Sequence, residues 1–112
     1  MKLLTKEIIR SLPPLGSGDG EDPIIRVKFF MPSGNWRWYA TEGQPKPEIN
    51  DFIFYGYVVG TFPEWGNFRL SELKEIRGWM GLPVERDRFF GPRRFSQLTS
   101  AELGGVPDPL QD

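Results

Sequence analysis

Hydrophobic and polar positions alternate in two neighbouring runs, Ile24–Met31 (IIRVKFFM) and Trp36–Thr41 (WRWYAT). In the first, Ile25, Val27, Phe29 and Met31 point one way and Arg26 and Lys28 the other. In the second, Trp36, Trp38 and Ala40 oppose Arg37, Tyr39 and Thr41. A period of two marks a strand with one buried face. Pro32-Ser33-Gly34-Asn35 between the runs is turn chemistry, so together they predict a β-hairpin. Phe52–Val59 (FIFYGYVV) is apolar or aromatic on both sides, which predicts a central strand covered on both faces. Asn67–Leu70 reads as a short fourth strand with Phe68 and Leu70 inward, and Val84–Phe90 as a fifth, edge strand.

Helical signals are short. Thr5 is a candidate N-cap for a first helix with Glu7 in its first turn and an apolar face of Ile8, Ile9 and Leu12; Pro13-Pro14 end it. Ser71 is a candidate cap for a second helix, SELKEIRG, stopped by Gly78, with Leu73, Ile76 and Trp79 toward the sheet. Ser96–Leu103 reads as a weak third helix. Gly16–Asp22 and Glu42–Asn50 read as loops, the latter because it holds Pro45 and Pro47. The expected fold is α+β: a mainly antiparallel sheet of about four to five strands, with two to three short helices packed against it. Residues 1–98 form the single expected domain and 99–112, ending in GGVPDPLQD, a flexible tail.

Composition narrows the chemistry. The 112 residues contain no Cys and no His. Disulfides, thiolate metal sites, Ser–His and Cys–His nucleophile pairs and imidazole acid–base catalysis are therefore excluded. Fourteen Lys and Arg against fifteen Asp and Glu leave a net charge of −1, which does not favour bulk attraction to nucleic acid or anionic membrane. The first fifteen residues lack the unbroken run of about seven apolar residues of a secretory signal, and no stretch approaches the ~20 of a membrane span. The expectation is a soluble, cytoplasmic protein.

Four constellations are candidates for function. PVERDRFFGPRRFSQL, residues 83–98, concentrates Arg86, Arg88, Arg93 and Arg94 among Phe89, Phe90 and Phe95. On an extended strand Arg86, Arg88 and Phe90 share one face, and Glu85, Asp87 and Phe89 the other. Such a set can clamp phosphates and stack bases, or form an edge strand whose charges block pairing with another sheet. Glu42, Glu85 and Asp87 are the carboxylates with which a divalent cation would be held, although no nucleotide or metal motif accompanies them. Trp65 and Trp79 lie near turns and suit partner anchors, whereas the hairpin aromatics suit the core. The acidic stretches Asp19–Asp22 and Thr41–Asp51 read as solvated loops or as a surface mimicking a phosphate backbone.

Several segments recur in order as a pattern: LLTKEIIRSLPPL (Leu3–Leu15), VKFFxPxGxWxWYATE (Val27–Glu42), FxYGxVxG (Phe52–Gly60), FRLSELxxIRGxxGLPVERD (Phe68–Asp87) and FxP (Phe90–Pro92). In these the chain resembles a small bacterial domain-of-unknown-function family carried on plasmids, conjugative elements and phages, over roughly residues 3–98. The resemblance implies no catalytic residue or cofactor. It implies a setting near anti-restriction and conjugation functions. The leading expectation is thus a non-enzymatic, cofactor-free protein-interaction module. It would bind a host or element-encoded protein through Trp65, Trp79, Glu85, Arg86 and Asp87, and counteract a host defence. The alternative is nucleic-acid binding through Arg86, Arg88, Phe90, Arg93 and Arg94.

Overall fold

In the computed structural model, residues 2–18 and 20–104 are described. Seven strands and two short α-helices run in the order α1 (Lys6–Ser11), β1 (Ile24–Ile25), β2 (Val27–Phe30), β3 (Arg37–Lys46), β4 (Asp51–Val59), β5 (Glu64–Arg69), α2 (Leu70–Glu75), β6 (Glu85–Arg86) and β7 (Arg93–Arg94). Five strands form one antiparallel sheet in the order β5-β4-β3-β2-β6, and β1 pairs with β7 in a two-stranded sheet. The architecture is α+β and mostly antiparallel, with more strands than the four to five expected. The extra ones are two-residue pairings between distant segments. No helix of the described residues is long and apolar enough to cross a membrane.

The hairpin forms as the alternation predicts: Val27 faces Ala40 and Phe29 faces Trp38. Its strands bury two faces, not one. Leu12, Val27, Phe29, Trp38, Ala40, Phe52, Phe54, Phe68 and Leu73 pack on the face that α1 and α2 cover. Ile25, Tyr39, Val59 and Leu98 pack on the other, with Tyr57, Phe90, Phe95 and Leu103 against them. Tyr39, read as outward, is fully buried there, and its hydroxyl donates to the Glu102 carbonyl at 3.0 Å. Ile25 leaves the face of Val27 and Phe29 because the ladder breaks at Arg26, between β1 and β2.

The segment expected as a loop at Glu42–Asn50 instead continues β3 through Lys46, with Pro45 opposite Phe52. The register shifts between Ala40 and Glu42, so one extra residue enters the strand. That β-bulge reverses the parity of the remaining strand positions, 42–46. Tyr39 and Glu42 therefore share the second face, while Ala40 and Gly43 share the first. Only Pro47–Ile49, a 3-10 turn, and Asn50, in the left-handed region at φ 52°, make the connection to β4.

The first helix keeps its predicted cap: Thr5 Oγ1 accepts the Ile8 N–H at 3.3 Å. Six residues are too few for a stable isolated helix, so its flanking Leu3 and Leu12, both buried in the core, hold it down. The second helix begins at Leu70, one residue before the expected Ser71 cap, and ends at Glu75. Ser71 N and Oγ both donate to Asp51, at 3.1 and 2.5 Å, which ties the helix to the start of β4. The helix stops early because Ile76 adopts extended geometry. Trp79 lies beyond it, turned to solvent and away from the sheet.

The fourth strand runs from Glu64, longer than Asn67–Leu70, because Trp65 and Gly66 also pair with β4. The edge strand is shorter than Val84–Phe90: only Glu85 and Arg86 pair, after which Asp87 starts a turn closed by Phe90 N–H to Asp87 O at 3.3 Å. Arg93-Arg94 form β7, and Phe95–Gln97 is a 3-10 turn where a helix from Ser96 was expected. Residues 99–104 lie against the second face through Leu103, and residues 105–112 lie outside the described residues.

Candidate functional site

The β6 edge is built on Val84, buried beside Leu73, and on pairing with Phe29 and Phe30. Glu85 and Arg86 then point into two different grooves. Glu85 borders the first, of about 670 Å³, whose floor is Leu3, Leu70, Leu73 and Val84 and whose rim carries Lys2, Lys74 and Arg77. Arg86 lines the second, of about 600 Å³, between α1 and β6, together with Lys6, Ile8, Val27, Arg88 and Phe90. Only Arg86 lies on the strand, so Arg88 and Phe90 reach this groove from the turn that follows it, and Asp87, expected on the opposite strand face, lines it too. Arg86 Nη1 is buried and finds no hydrogen-bond partner among the described residues.

Asp87 does not project beside Glu85. It pairs with Lys28 at 3.7 Å, accepts the Phe89 N–H at 3.0 Å, and turns the chain so that Phe89 is 94% exposed.

The second pair of arginines is engaged elsewhere. Arg93 reaches both carboxylate oxygens of Glu102, at 2.5 and 3.3 Å, and its guanidinium lies 4.8 Å from the centre of the Phe90 ring. Burial pushes the Glu102 carboxyl up, but the Thr99 N–H and the Arg93 guanidinium outweigh it and hold it below its ordinary value. Arg94 donates from Nη1 to the carbonyl of Asp22 at 2.8 Å. Asp22 in turn accepts from Ser96 Oγ and N at 2.7 and 2.9 Å, which lowers its carboxyl. Both arginines therefore staple β7 and the segments around it.

Trp65 and Trp79 sit at different places in the fold. Trp65, on the far edge strand β5, is 36% exposed and packs on Tyr55, Tyr57 and Phe95 with ring centres 5.9, 5.3 and 4.9 Å away. Trp79 is 74% exposed and adjoins Met80, 77% exposed, and Leu82. Their turn is fixed by backbone bonds from Gly78 N to Leu82 O at 2.7 Å and Gly81 N to Gly78 O at 3.0 Å. A third bond runs from Trp79 N to Ser33 Oγ at 3.0 Å. A Cβ at Gly78 would lie 2.0 Å from Ser33 Oγ, so a side chain there would displace the hydroxyl that holds Trp79 N. Met80 is held at φ 58°, a left-handed conformation that costs a non-glycine residue about 1 kcal/mol or more. Strain and three anchoring bonds are thus spent on displaying two large apolar side chains. Met80 and Leu82 were not singled out from the sequence. Gly78 and Gly81, which bracket Trp79 and Met80, were the available signal.

The carboxylates considered as cation ligands are apart in function. Glu42, buried beyond the bulge, accepts the N–H groups of Gly16 and Gly18 at 2.8 and 2.9 Å and so pins the loop after α1. Glu85 borders the leucine groove and Asp87 belongs to Lys28. Among the described residues no group of three or more acidic side chains is placed to hold a metal ion. Of the acidic stretch from Asp19 to Asp22, Asp19 lies outside the described residues.

The predicted partner-binding set is therefore divided. Glu85 and Arg86 lie at one sheet edge, Trp65 at the other, and Trp79 on the turn leading to β6. No curated protein and no solved structure matches the chain. A family model described as a protein of unknown function, DUF2958, matches residues 3–102, nearly the whole of the described fold, and the chain belongs to that family.

Proposed function

We propose that this chain is a non-enzymatic protein-interaction module of a mobile genetic element, acting in the cytoplasm on a host defence system by occluding a partner's surface. The observation that carries the interaction reading is the Trp79–Leu82 turn. A tryptophan and a methionine, each about three-quarters exposed, stand on a turn that is anchored and strained. Tryptophan is among the residues that most often dominate interfaces, and a preformed loop loses little entropy on binding. The neighbouring leucine groove extends the apolar area, and Lys2, Lys74 and Arg77 around it favour a partner with acidic residues at its rim. The mobile-element and anti-defence setting rests on the motif resemblance, and the absence of His and Cys supports a role without turnover.

Affinity capture from cells carrying the element tests the reading. The wild-type chain should retain a specific protein, and Trp79→Ala should weaken retention by roughly 30-fold, the equivalent of a ~2 kcal/mol hot spot. Equal retention by both chains, or none by either, overturns it.

Nucleic-acid binding through Arg86, Arg88, Phe90, Arg93 and Arg94 keeps one supporting observation, the common groove of Arg86, Arg88 and Phe90. With Arg93 and Arg94 engaged, two arginines remain, so the log–log salt slope for duplex DNA should be about −2 instead of the −3 to −4 of a four-arginine clamp.

A further inference from the structure

We infer that the groove between α1 and β6 is a binding site for a small phosphate-bearing ligand, with Arg86 and Arg88 as its guanidinium contacts and Lys6 as a third cation. Four observations converge. Arg86 Nη1 is buried without a hydrogen-bond partner among the described residues, and an unmet donor on a charged group is costly unless something fills it. Arg88 and Lys6 line the same groove, and neither makes an ion pair among the described residues. Of the two carboxylates there, Asp87 is paired with Lys28, which leaves Glu7 as the only unpaired acid against them among the described residues. Finally, the groove's volume of about 600 Å³ falls within the range of roughly 300–1,000 Å³ common for small-ligand sites.

The chemistry selects phosphate over a single carboxylate. A forked guanidinium binds an oxyanion through two parallel N–H groups, and a phosphate monoester has enough oxygens and charge for two such forks. A lone carboxylate satisfies one. Ile8, Val27 and Phe90 supply an apolar wall for the organic part of the ligand. A polymer fits less well. A nucleic-acid track needs further cations along its path, and Arg93 and Arg94 are bound to Glu102 and to the Asp22 carbonyl.

Isothermal titration of the full chain with inorganic phosphate, pyrophosphate, adenosine monophosphate, acetate and a short single-stranded oligonucleotide tests the site. Pyrophosphate and the monophosphate should bind saturably at a Kd of about 1 mM or tighter, and acetate should not bind. Arg86→Met and Arg88→Gln should each weaken binding about tenfold or more, whereas Arg77→Gln, in the leucine groove, should leave it unchanged. Arg88 is exposed, so its variant folds even if Arg86→Met does not. The ligand-free Arg86→Met chain should melt no lower than the wild type, because it removes an unpaired buried donor. Absence of saturable phosphate binding overturns the proposal, as does equal affinity in Arg88→Gln. Binding of the oligonucleotide without the monophosphate also overturns it, in favour of a polymer surface.

Discussion

Gly56 and Gly66 face each other across β4 and β5, yet their replacement by alanine should have opposite effects. A Cβ on Gly56 would lie 1.9 Å from the Tyr39 carbonyl oxygen, 2.7 Å from the Tyr39 carbonyl carbon and 2.8 Å from Ala40 Cα. All three are backbone atoms of β3, next to the bulge, and cannot rotate away. Relieving a contact more than 1 Å too short means opening a strand spacing of about 4.8 Å by a similar amount, which breaks ladder hydrogen bonds on either side. At about 1 kcal/mol net per lost bond, plus the penalty of unsatisfied buried groups, Gly56→Ala should cost about 4 kcal/mol or more. That is a large part of the 5–15 kcal/mol typical of a domain. A Cβ on Gly66 meets nothing within 4 Å, and Gly66 is not in a left-handed conformation. Gly66→Ala should be neutral to stabilising, by up to about 1 kcal/mol, because it restricts the unfolded chain. Urea unfolding followed by circular dichroism reads both. The midpoint should collapse for Gly56→Ala and hold or rise for Gly66→Ala, with the slope unchanged in the latter. A Gly56→Ala chain as stable as the wild type would refute the β3–β4 register, and with it the placement of Glu42 and Tyr39 on the second face.

Leu73→Ala removes a fully buried side chain from between α2 and the sheet and should cost about 2–5 kcal/mol in urea unfolding. Glu42→Gln weakens the two bonds to the Gly16 and Gly18 amides and should cost about 1–3 kcal/mol, with faster proteolysis of the loop after α1 as a second readout. Asp22 and Asp51 are held below their ordinary value of 3.8 by bonds from Ser96 and Ser71, and Glu102 below its ordinary 4.5 despite its burial. Because folded values are depressed, this stability is present above the unfolded values and lost as pH falls through the folded ones. The melting temperature should therefore hold from neutral pH to about pH 5 and fall below about pH 4, less steeply in Asp51→Asn.

What the sequence made legible is what local pattern controls. Thr5 and Pro13-Pro14 bound α1, the two alternating runs became the hairpin, and FIFYGYVV became an interior strand, although only one of its faces is largely buried and Ile53, Tyr55 and Tyr57 on the other are half-buried. What it hid depends on distant partners. Nothing in Ile24-Ile25 or Arg93-Arg94 announces that each is the other's strand partner, because two residues carry no period. Pro45 argued for a loop, yet a proline is tolerated in β3 at the end of the ladder, opposite Phe52. The bulge at Thr41 then reversed the alternation just where a reader extends it. For the candidate sites, strand spacing does not account for the groove of Arg86, Arg88 and Phe90, because the strand ends at Arg86 and the turn after it brings Asp87 to the same groove. The engagement of Arg93 by Glu102 could not be read from spacing either, since it rests on residues 99–104 folding back. Trp79 was visible as a candidate, but the strained Met80 beside it becomes apparent only from backbone angles.

The proposed interaction surface is tested most directly by site-specific photo-crosslinking in bacterial cells that express the chain. A photoreactive residue in place of Met80 is compared with one in place of Ile49, which is also exposed but lies on the β3–β4 connection at the other end of β3 from the Ser33 turn. The account predicts one discrete crosslinked partner from position 80, none from position 49, and loss of the product when Trp79→Ala is added. Equal products from both positions, or a product at position 80 that persists without Trp79, would contradict it.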